Sequence, residues 1–323
     1  MARELTYIAA LNEALHQSFA ADPSVIMVGE NIRGVKRSET AGLDGAFGAD
    51  RVIDMPISEP AFTGFATGAA LSGGRPIVEF QVSSLIFVAF DQLVNQAAKL
   101  PLMLGGQRHL PVTYLIMGAG AGGGRAGQHS DNPYPFLMHA GIKTVIPSTP
   151  KDAKGLMIAA IREDDPVALF APAGLLRREG EVPEEPYATP LGEGVVRRAG
   201  DQITVVASGN LVRKAIEVAE TVAADGISVE VWDPVSLLPL DKAGLAETVA
   251  KTGRLVVFDD SNRTCGFAAE VSSLVAERCF HDLKAPIKRI TRADVTTPFS
   301  NPIEYASLPG RERLEAAVRA LLA

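Results

Sequence analysis

Residues 75–99 read RPIVEFQVSSLIFVAFDQLVNQAAK, and they indicate the fold class more directly than any other part of the chain. The run 77–80 is mostly apolar and predicts a buried strand. After it, apolar residues recur at helical spacing with polar residues between them, which predicts an amphipathic helix. The apolar residues of that helix are Ile86, Phe90, Leu93, Val94 and Ala97. A strand followed by a helix that covers it is the repeating unit of α/β proteins.

The same alternation of strands and helices extends to both ends of the chain. It predicts an α/β fold with mostly parallel sheets, whose strands are apolar because helices cover both faces. The predicted strands are 25–28, 77–80, 112–116, 144–146, 167–170, 203–207, 229–232 and 255–258. Further helices are predicted from Thr149-Pro150 onward and over 211–224, 268–277 and 311–323. Thr149 is expected to cap the first of these, since its hydroxyl can accept a hydrogen bond from the first turn.

A charged, proline-rich stretch separates two groups of elements. It runs from Arg178 to Glu193, reads REGEVPEEPYATPLGE, and lacks the periodicity of a helix or strand. It predicts a linker at 181–194 between two domains, 1–180 and 195–323. Each domain is predicted to be a three-layer α/β/α unit.

Composition excludes several classes of protein. The 323 residues are 47% hydrophobic and 21% charged, which is typical of a soluble globular protein of about two domains. The net charge of −7 argues against nucleic-acid binding, which depends on basic residues that neutralise phosphates. No apolar run is long enough to span a membrane, and the first residues, MARELT, do not resemble a signal peptide. The two cysteines, Cys265 and Cys279, predict free thiols in a reducing cytoplasm.

A glycine-rich run follows the predicted strand 112–116. Gly118-Ala-Gly-Ala-Gly-Gly123 fits the G-x-G-x-x-G pattern of dinucleotide-binding proteins. That pattern also needs a helix at the third glycine and an acid about 20 residues later, whereas loop residues follow here and position 138 is Met. We therefore expect no dinucleotide site. The glycines instead predict close approach of the backbone to another surface, either a ligand or a second subunit.

Two residues are candidates for acid–base chemistry. Pro60 favours the first turn of a helix and so places Glu59, in Ser58-Glu59-Pro60, at a helix entrance. From the residues alone, an equally good interpretation is that Glu59 is a structural acid, which stabilises the positive end of a helix dipole. His129 lies in a polar, turn-rich stretch, where it is either a surface histidine or an acid–base group.

Taken in order, the motifs of this chain resemble those of one family. It is the beta subunit of the thiamin-diphosphate-dependent, decarboxylating component of pyruvate, branched-chain 2-oxoacid and acetoin dehydrogenase complexes, in the transketolase superfamily. The resemblance covers nearly the whole chain. The motifs are Gly29-Glu30, Asp54-Met-Pro-Ile-Ser-Glu59, Arg75-Pro-Ile-Val-Glu-Phe80-Gln81, Phe90-Asp91-Gln92-Leu-Val-Asn95-Gln-Ala-Ala-Lys99, Gln128-His129-Ser130, Pro147-Ser-Thr-Pro-Lys-Asp152 and Ala160-Ile-Arg-Glu-Asp-Asp-Pro166.

The resemblance implies a pyrimidine-binding domain followed by a transketolase C-terminal-type domain. This chain has no Gly-Asp-Gly…Asn motif, which in the family lies on a separate alpha subunit and binds diphosphate through magnesium. The chain is therefore expected to hold the aminopyrimidine half of the cofactor. The implied assembly is an α2β2 heterotetramer in which beta subunits also touch each other. The implied reaction ends with acyl transfer to a lipoyl arm of the acyltransferase component.

The resemblance also implies roles for individual residues. Glu59 matches the glutamate that shares a proton with a ring nitrogen of the aminopyrimidine. His129 matches a histidine beside the active-site channel, which stabilises intermediates or helps to receive the lipoyl group. Glu30, Gln81 and Leu85 match positions on the pyrimidine side of the cofactor. Relatives often bind potassium through main-chain carbonyls at the positions that match Val112, Ala160, Glu163 and Asp165.

Three positions depart from the family pattern. Leu85 replaces an aromatic residue that packs on the pyrimidine, Leu100-Pro101-Leu102 stands where an aromatic residue is usual, and Leu115 replaces a common Arg. These changes bear on the substrate rather than on the cofactor, because Glu59 and His129 are present.

Two other functions remain open from the sequence. One is half of a split transketolase-like carboligase, although transketolases usually have Glu-Gln where this chain has Glu59-Pro60. The other is a non-catalytic subunit for assembly or regulation.

Overall fold

The computed structural model describes residues 3–34, 38–120 and 124–322. The strands among these residues are β1 Arg3–Thr6, β2 Val25–Gly29, β3 Val52–Asp54, β4 Arg75–Phe80, β5 Thr113–Ala119, β6 Lys143–Val145, β7 Val167–Pro172, β8 Glu179–Val182, β9 Val195–Arg198, β10 Ile203–Ala207, β11 Val229–Asp233, β12 Ser236–Leu238, β13 Leu255–Asn262 and β14 Lys288–Arg292. The α-helices are α1 Tyr7–Ala21, α2 Leu43–Phe47, α3 Glu59–Leu71, α4 Leu100–Met103, α5 Tyr134–His139, α6 Pro150–Arg162, α7 Asn210–Ala223, α8 Lys242–Thr252, α9 Phe267–Arg278, α10 Asn301–Ser307 and α11 Arg311–Ala320.

The first half of the chain is built on a seven-stranded sheet in the order β12-β6-β7-β5-β4-β2-β3. Its strands run parallel except β12, which comes from the second half of the chain and pairs antiparallel with β6. Helices α1 and α6 bury one face of the sheet through residues such as Leu11 and Leu156. The other face packs against α3 through residues such as Phe62. This half is a three-layer α/β/α unit.

The second half is built on a five-stranded sheet in the order β14-β13-β10-β11-β9, parallel except for β9. Helices α7 and α11 cover one face, and α8 and α9 cover the other. One apolar cluster joins Tyr134 and Phe170 of the first half to Val206 and Trp232 of the second. The predicted fold class is confirmed, and the two halves share part of their core.

All eight predicted strands are present, with ends that differ by a few residues. The predicted helix start at Thr149 is also confirmed, because its hydroxyl accepts the N–H of Asp152 at 3.1 Å. The strands β1, β3, β8, β9, β12 and β14 were not predicted. One of them, β8, lies at the start of the predicted linker stretch and pairs antiparallel with β1.

The prediction of a regular α-helix from Ile86 to Ala97 is wrong about the type of helix. The chain forms a 3-10 turn at Ser83–Phe87 and a π-helix at Gln92–Ala98, although Ile86, Leu93 and Ala97 are buried as expected. The π-helix lies close against α3 at Gly64, where an added Cβ would be 2.9 Å from Oε1 of Gln92. Apolar spacing specifies the buried face but does not distinguish a wide turn from an ordinary one.

Within the described ranges, no helix combines the length and apolar character required to cross a bilayer.

Candidate active site

The predicted site residues emerge at one edge of the first sheet. Strands β2, β3 and β4 are parallel neighbours, with Gly29 beside Asp54 and Val28 beside Val78, so their carboxyl ends lie together. Glu30 directly follows β2, Gln81 directly follows β4, and Glu59 begins the helix after β3. Ligands of open α/β sheets bind in the crevice outside the carboxyl ends of the strands.

Glu30 and Gln81 are in direct contact. Nε2 of Gln81 donates a hydrogen bond to the main-chain oxygen of Glu30 at 3.1 Å, and Nδ2 of Asn31 donates to Oε1 of Glu30 at 2.8 Å. The chain turns here through Asn31, which has a positive φ of 56°. The turn needs a residue without a side chain just before it, because a Cβ on Gly29 would lie 3.1 Å from the carbonyl oxygen of Glu79.

Glu59 is the first residue of α3, and Pro60 lies in the first turn as expected. The residue is only 6% exposed. Within the described ranges its carboxylate has no hydrogen-bond or ion-pair partner. A carboxylate that lacks a partner in a largely buried residue has unused hydrogen-bonding capacity, so this group is suited to receive a partner from a bound molecule.

The segments that carry Leu85 and His129 lie against each other. Leu85 is half-buried in the turn Ser83–Phe87 and packs against the core. The hydroxyl of Ser84 donates to the main-chain oxygen of Gly127 at 3.3 Å and accepts the N–H of Asp131 at the same distance. His129 lies between those two residues, on an exposed 3-10 turn.

The glycine-rich run packs against the second half of the same chain. Its residues 121–123 lie outside the described residues, so the contacts come from the glycines around them. A Cβ added to Gly120 would lie 3.0 Å from Oδ2 of Asp260, and one added to Gly127 would lie 2.8 Å from the Thr296 side chain. The N–H of Gly124 donates to a carboxylate oxygen of α10, Oε2 of Glu304, at 3.0 Å. The described glycines on either side of residues 121–123 therefore approach the second half of the same chain.

Sequence reasoning missed a buried arginine that reaches the same segment. Arg292, at the end of β14, is 2% exposed and donates from Nη1 to the main-chain oxygen of Ser130 at 2.9 Å. Only the basic character of Arg292 was visible in the sequence, because 162 residues separate the two partners.

The carbonyl groups assigned to potassium already accept hydrogen bonds. The pairs are Thr113 Oγ1 to Ala160 O at 3.1 Å, Val167 N–H to Val112 O at 3.0 Å, and Arg75 Nη1 to Glu163 O at 2.9 Å. The fourth residue, Asp165, has its carboxylate 3.8 Å from Nζ of Lys143. The guanidinium of Arg75 thus supplies positive charge at the end of α6. The potassium site stays a prediction.

Comparison with known proteins assigns the family. Residues 3–179 match the family described as "Transketolase, pyrimidine binding domain", and residues 192–314 match "Transketolase, C-terminal domain". The beta subunit of acetoin:2,6-dichlorophenolindophenol oxidoreductase from Cupriavidus necator is 42% identical, over 99% of this chain and 98% of that protein. The chain belongs to the transketolase-like beta subunits of 2-oxoacid dehydrogenases.

Other members of this beta-subunit family are nearly as similar. The 2-oxoisovalerate dehydrogenase subunit beta of Bacillus subtilis is 37% identical over 98% of both chains. The pyruvate dehydrogenase E1 component subunit beta of Staphylococcus epidermidis is 37% identical over 99% of both. A solved "Split gene transketolase, inactive beta4 tetramer" superposes with a TM-score of 0.79 at 22% identity, over 98% of both chains, and supports the fold alone.

Membership confirms the resemblance drawn from the ordered motifs. It implies a thiamin-diphosphate-dependent enzyme complex in which a beta subunit works with an alpha subunit.

Proposed function

We propose that this chain is the beta subunit of a thiamin-diphosphate-dependent dehydrogenase that acts on pyruvate or on the related ketone acetoin. The observation that carries the proposal is Glu59, a largely buried residue at the carboxyl edge of the first sheet, whose carboxylate has no partner among the described residues. The 42% identity to an acetoin oxidoreductase beta subunit, against 37% for the pyruvate and 2-oxoisovalerate relatives, favours acetoin.

The residues at the sheet edge fit the aminopyrimidine half of the cofactor. When bound, thiamin diphosphate supplies the electron sink for breaking the bond next to a carbonyl carbon. Glu59 would share a proton with a ring nitrogen, and no other group among the described residues competes for that carboxylate. Gln81 and Glu30 would border the ring, with their own hydrogen bond fixing their positions. Leu85 would pack on the ring through its half-buried side chain.

The other half of the cofactor is assigned to the alpha subunit. In the described parts of the chain, no group of three or more His, Cys, Asp or Glu side chains is arranged to hold a metal ion. Magnesium and the diphosphate would be bound by the alpha subunit, as the family resemblance implies. The complete active site would form in an α2β2 heterotetramer.

His129 is proposed to handle protons at the mouth of the site. Its turn is exposed, and it is joined to the Leu85 segment through Ser84. An imidazole there can donate or accept a proton, both on the reacting substrate and on a lipoyl group entering from the acyltransferase component.

The test is reconstitution with the alpha subunit. With thiamin diphosphate and magnesium, we expect reduction of 2,6-dichlorophenolindophenol with acetoin or pyruvate as substrate, at a higher rate than with 2-oxoisovalerate. Acylation of a lipoyl domain, followed by mass spectrometry, tests the second half of the reaction. Transfer of two-carbon units between sugar phosphates without dye reduction would support the carboligase instead. Cofactor binding without turnover of any of these substrates would support a non-catalytic subunit.

A further inference from the structure

The segment that carries His129 is held from both sides by different parts of the chain. On one side, the hydroxyls of Ser83 and Ser84 bond the backbone at Asp131 and Gly127. On the other side, the second half of the chain reaches it through Arg292. The imidazole of His129 is exposed and has no partner among the described residues, so its position depends on the backbone beneath it.

Arg292 is placed to determine that backbone position. Its guanidinium is almost completely buried and donates to three groups: Ser130 O at 2.9 Å, Thr297 Oγ1 at 2.9 Å and Asp260 Oδ1 at 3.0 Å. Two of these acceptors lie in the second half, and Asp260 compensates the charge. The third contact crosses to the residue next to His129. A planar guanidinium holds three acceptors in fixed directions, which an ammonium cannot do.

Neighbouring contacts rule out a loose attachment of this segment. Nδ2 of Asn132 donates to the second carboxylate oxygen of Asp260 at 2.8 Å, and the Tyr134 hydroxyl bonds the buried carboxylate of Asp259. Gly127 lies close to Thr296, since a Cβ added to it would be 2.8 Å from the Thr296 side chain. The carboxyl end of β13, together with β14, therefore forms a continuous support under residues 127–134.

We propose that Arg292 is a positioning residue for His129, by which the second domain sets the geometry of a group in the active site of the first. The inference rests on the function proposed above, because it assigns His129 a part in turnover. A displacement of about 1 Å in a reacting group can lower a rate by about a hundredfold. Loss of the Ser130 contact is therefore expected to lower turnover without removing any group that touches the substrate.

The test compares buried Arg292 with partly buried Arg197 in the reconstituted heterotetramer with saturating cofactor. Arg292→Lys keeps the positive charge but loses the planar, forked arrangement of N–H donors. We expect kcat to fall about ten- to hundredfold, with KM within about threefold of wild type. Arg197→Lys is the matched control. Arg197 also joins the two halves through two carboxylates, Asp152 at 2.6 Å and Asp233 at 2.9 Å, but it does not contact the His129 segment. We expect it to lower the melting temperature while kcat stays near wild type.

A double-mutant cycle decides whether Arg292 acts through His129. In a His129→Ala background, Arg292→Lys should cause little further loss of kcat, because the group that it positions is gone. An equal loss in both backgrounds would overturn the inference, and so would a loss in Arg197→Lys as large as that in Arg292→Lys. Full activity of His129→Ala alone would instead refute the role given to His129 in the proposed function.

A second variant serves if Arg292→Lys does not assemble. Asp260→Asn keeps an acceptor for Arg292 but removes the charge that orients it. It should lower kcat in the same direction, and again only when His129 is present. Unchanged kcat in Asp260→Asn would count against the inference.

Discussion

Glu59 allows the sharpest test with a single residue. Glu59→Gln keeps the shape of the side chain but cannot share a proton with a bound ring, so turnover should fall at least about a hundredfold. Assembly and melting temperature should stay near wild type. Glu312→Gln is the control, because Glu312 is also an acid in the first turn of a helix but is exposed. Dye reduction by the reconstituted variants is the measurement, and activity of Glu59→Gln within a few fold of wild type would contradict the assignment.

Leu85 tests whether the cofactor pocket has room for an aromatic ring. Its side chain is only half-buried, so Leu85→Phe should be tolerated and should tighten thiamin diphosphate binding in the assembled enzyme, with about 0.5–1.5 kcal/mol available from ring stacking. The adjacent Ile86 is fully buried, and Ile86→Phe should destabilise the fold by about 1–3 kcal/mol through overpacking. Calorimetric titration measures the affinity. A loss of more than tenfold for Leu85→Phe would mean that the pocket is shaped around leucine.

At the scale of elements, the ion pairs of Arg197 join β9, β11 and α6, and the burial of one partner, Asp233, makes stability depend on pH. Burial raises the pKa of Asp233 to about 6, although Arg197 opposes the shift. An acid with a higher pKa in the folded state loses its proton first in the unfolded state, so its contribution to stability falls as pH rises from about 4 to 6. Above pH 6 that contribution is constant.

The expected result concerns the stability gap, meaning the difference in free energy of unfolding between Asp233→Asn and wild type, which should change with pH. As pH rises from about 4 to 6, the gap should move in favour of the variant by up to about 3 kcal/mol, because asparagine does not titrate. Urea unfolding at several pH values measures it. Asp294→Asn is the control, since hydrogen bonds from Thr264 lower the pKa of Asp294 and its gap should be constant above pH 5. A constant gap for Asp233→Asn would contradict the prediction.

The sequence predicted those elements whose pattern is local. Buried strands such as β7 were found because every residue in them is apolar, and α6 was found because Thr149 and Pro150 are strong start signals. Strands β8 and β12 were missed because their pairing partners lie far away in the chain. The π-helix at Gln92–Ala98 was missed because its apolar spacing also suits an ordinary helix.

The candidate site also has features that a local pattern predicts and features that depend on distant parts of the chain. Glu59 was placed at a helix entrance by the proline beside it, and the structure has it there. The family motifs named His129, but not the support beneath it. The hydrogen bond from Arg292 to Ser130 leaves no local signal, because it depends on how two domains pack together.

For the whole molecule, the main prediction concerns the isolated chain. It should bind thiamin diphosphate poorly by itself, because in the proposed function this chain supplies only the groups for the pyrimidine, and its described residues include no group of three or more His, Cys, Asp or Glu side chains arranged for a metal ion. Calorimetry on the purified chain, with and without the alpha subunit, tests this. Micromolar, magnesium-dependent affinity without a partner would show that the half-site assignment is wrong.

Strand β12 makes the two domains poor candidates for separate expression. It follows β11 in the chain, yet it forms the outer strand of the first sheet by pairing with β6. A fragment ending at residue 194 would leave the edge of β6 unpaired and would expose the apolar cluster that Val206 and Trp232 normally complete. Exposed edges of this kind recruit strands from other molecules. We expect the fragment to aggregate in light-scattering measurements, and to be rescued by co-expression with residues 195–323.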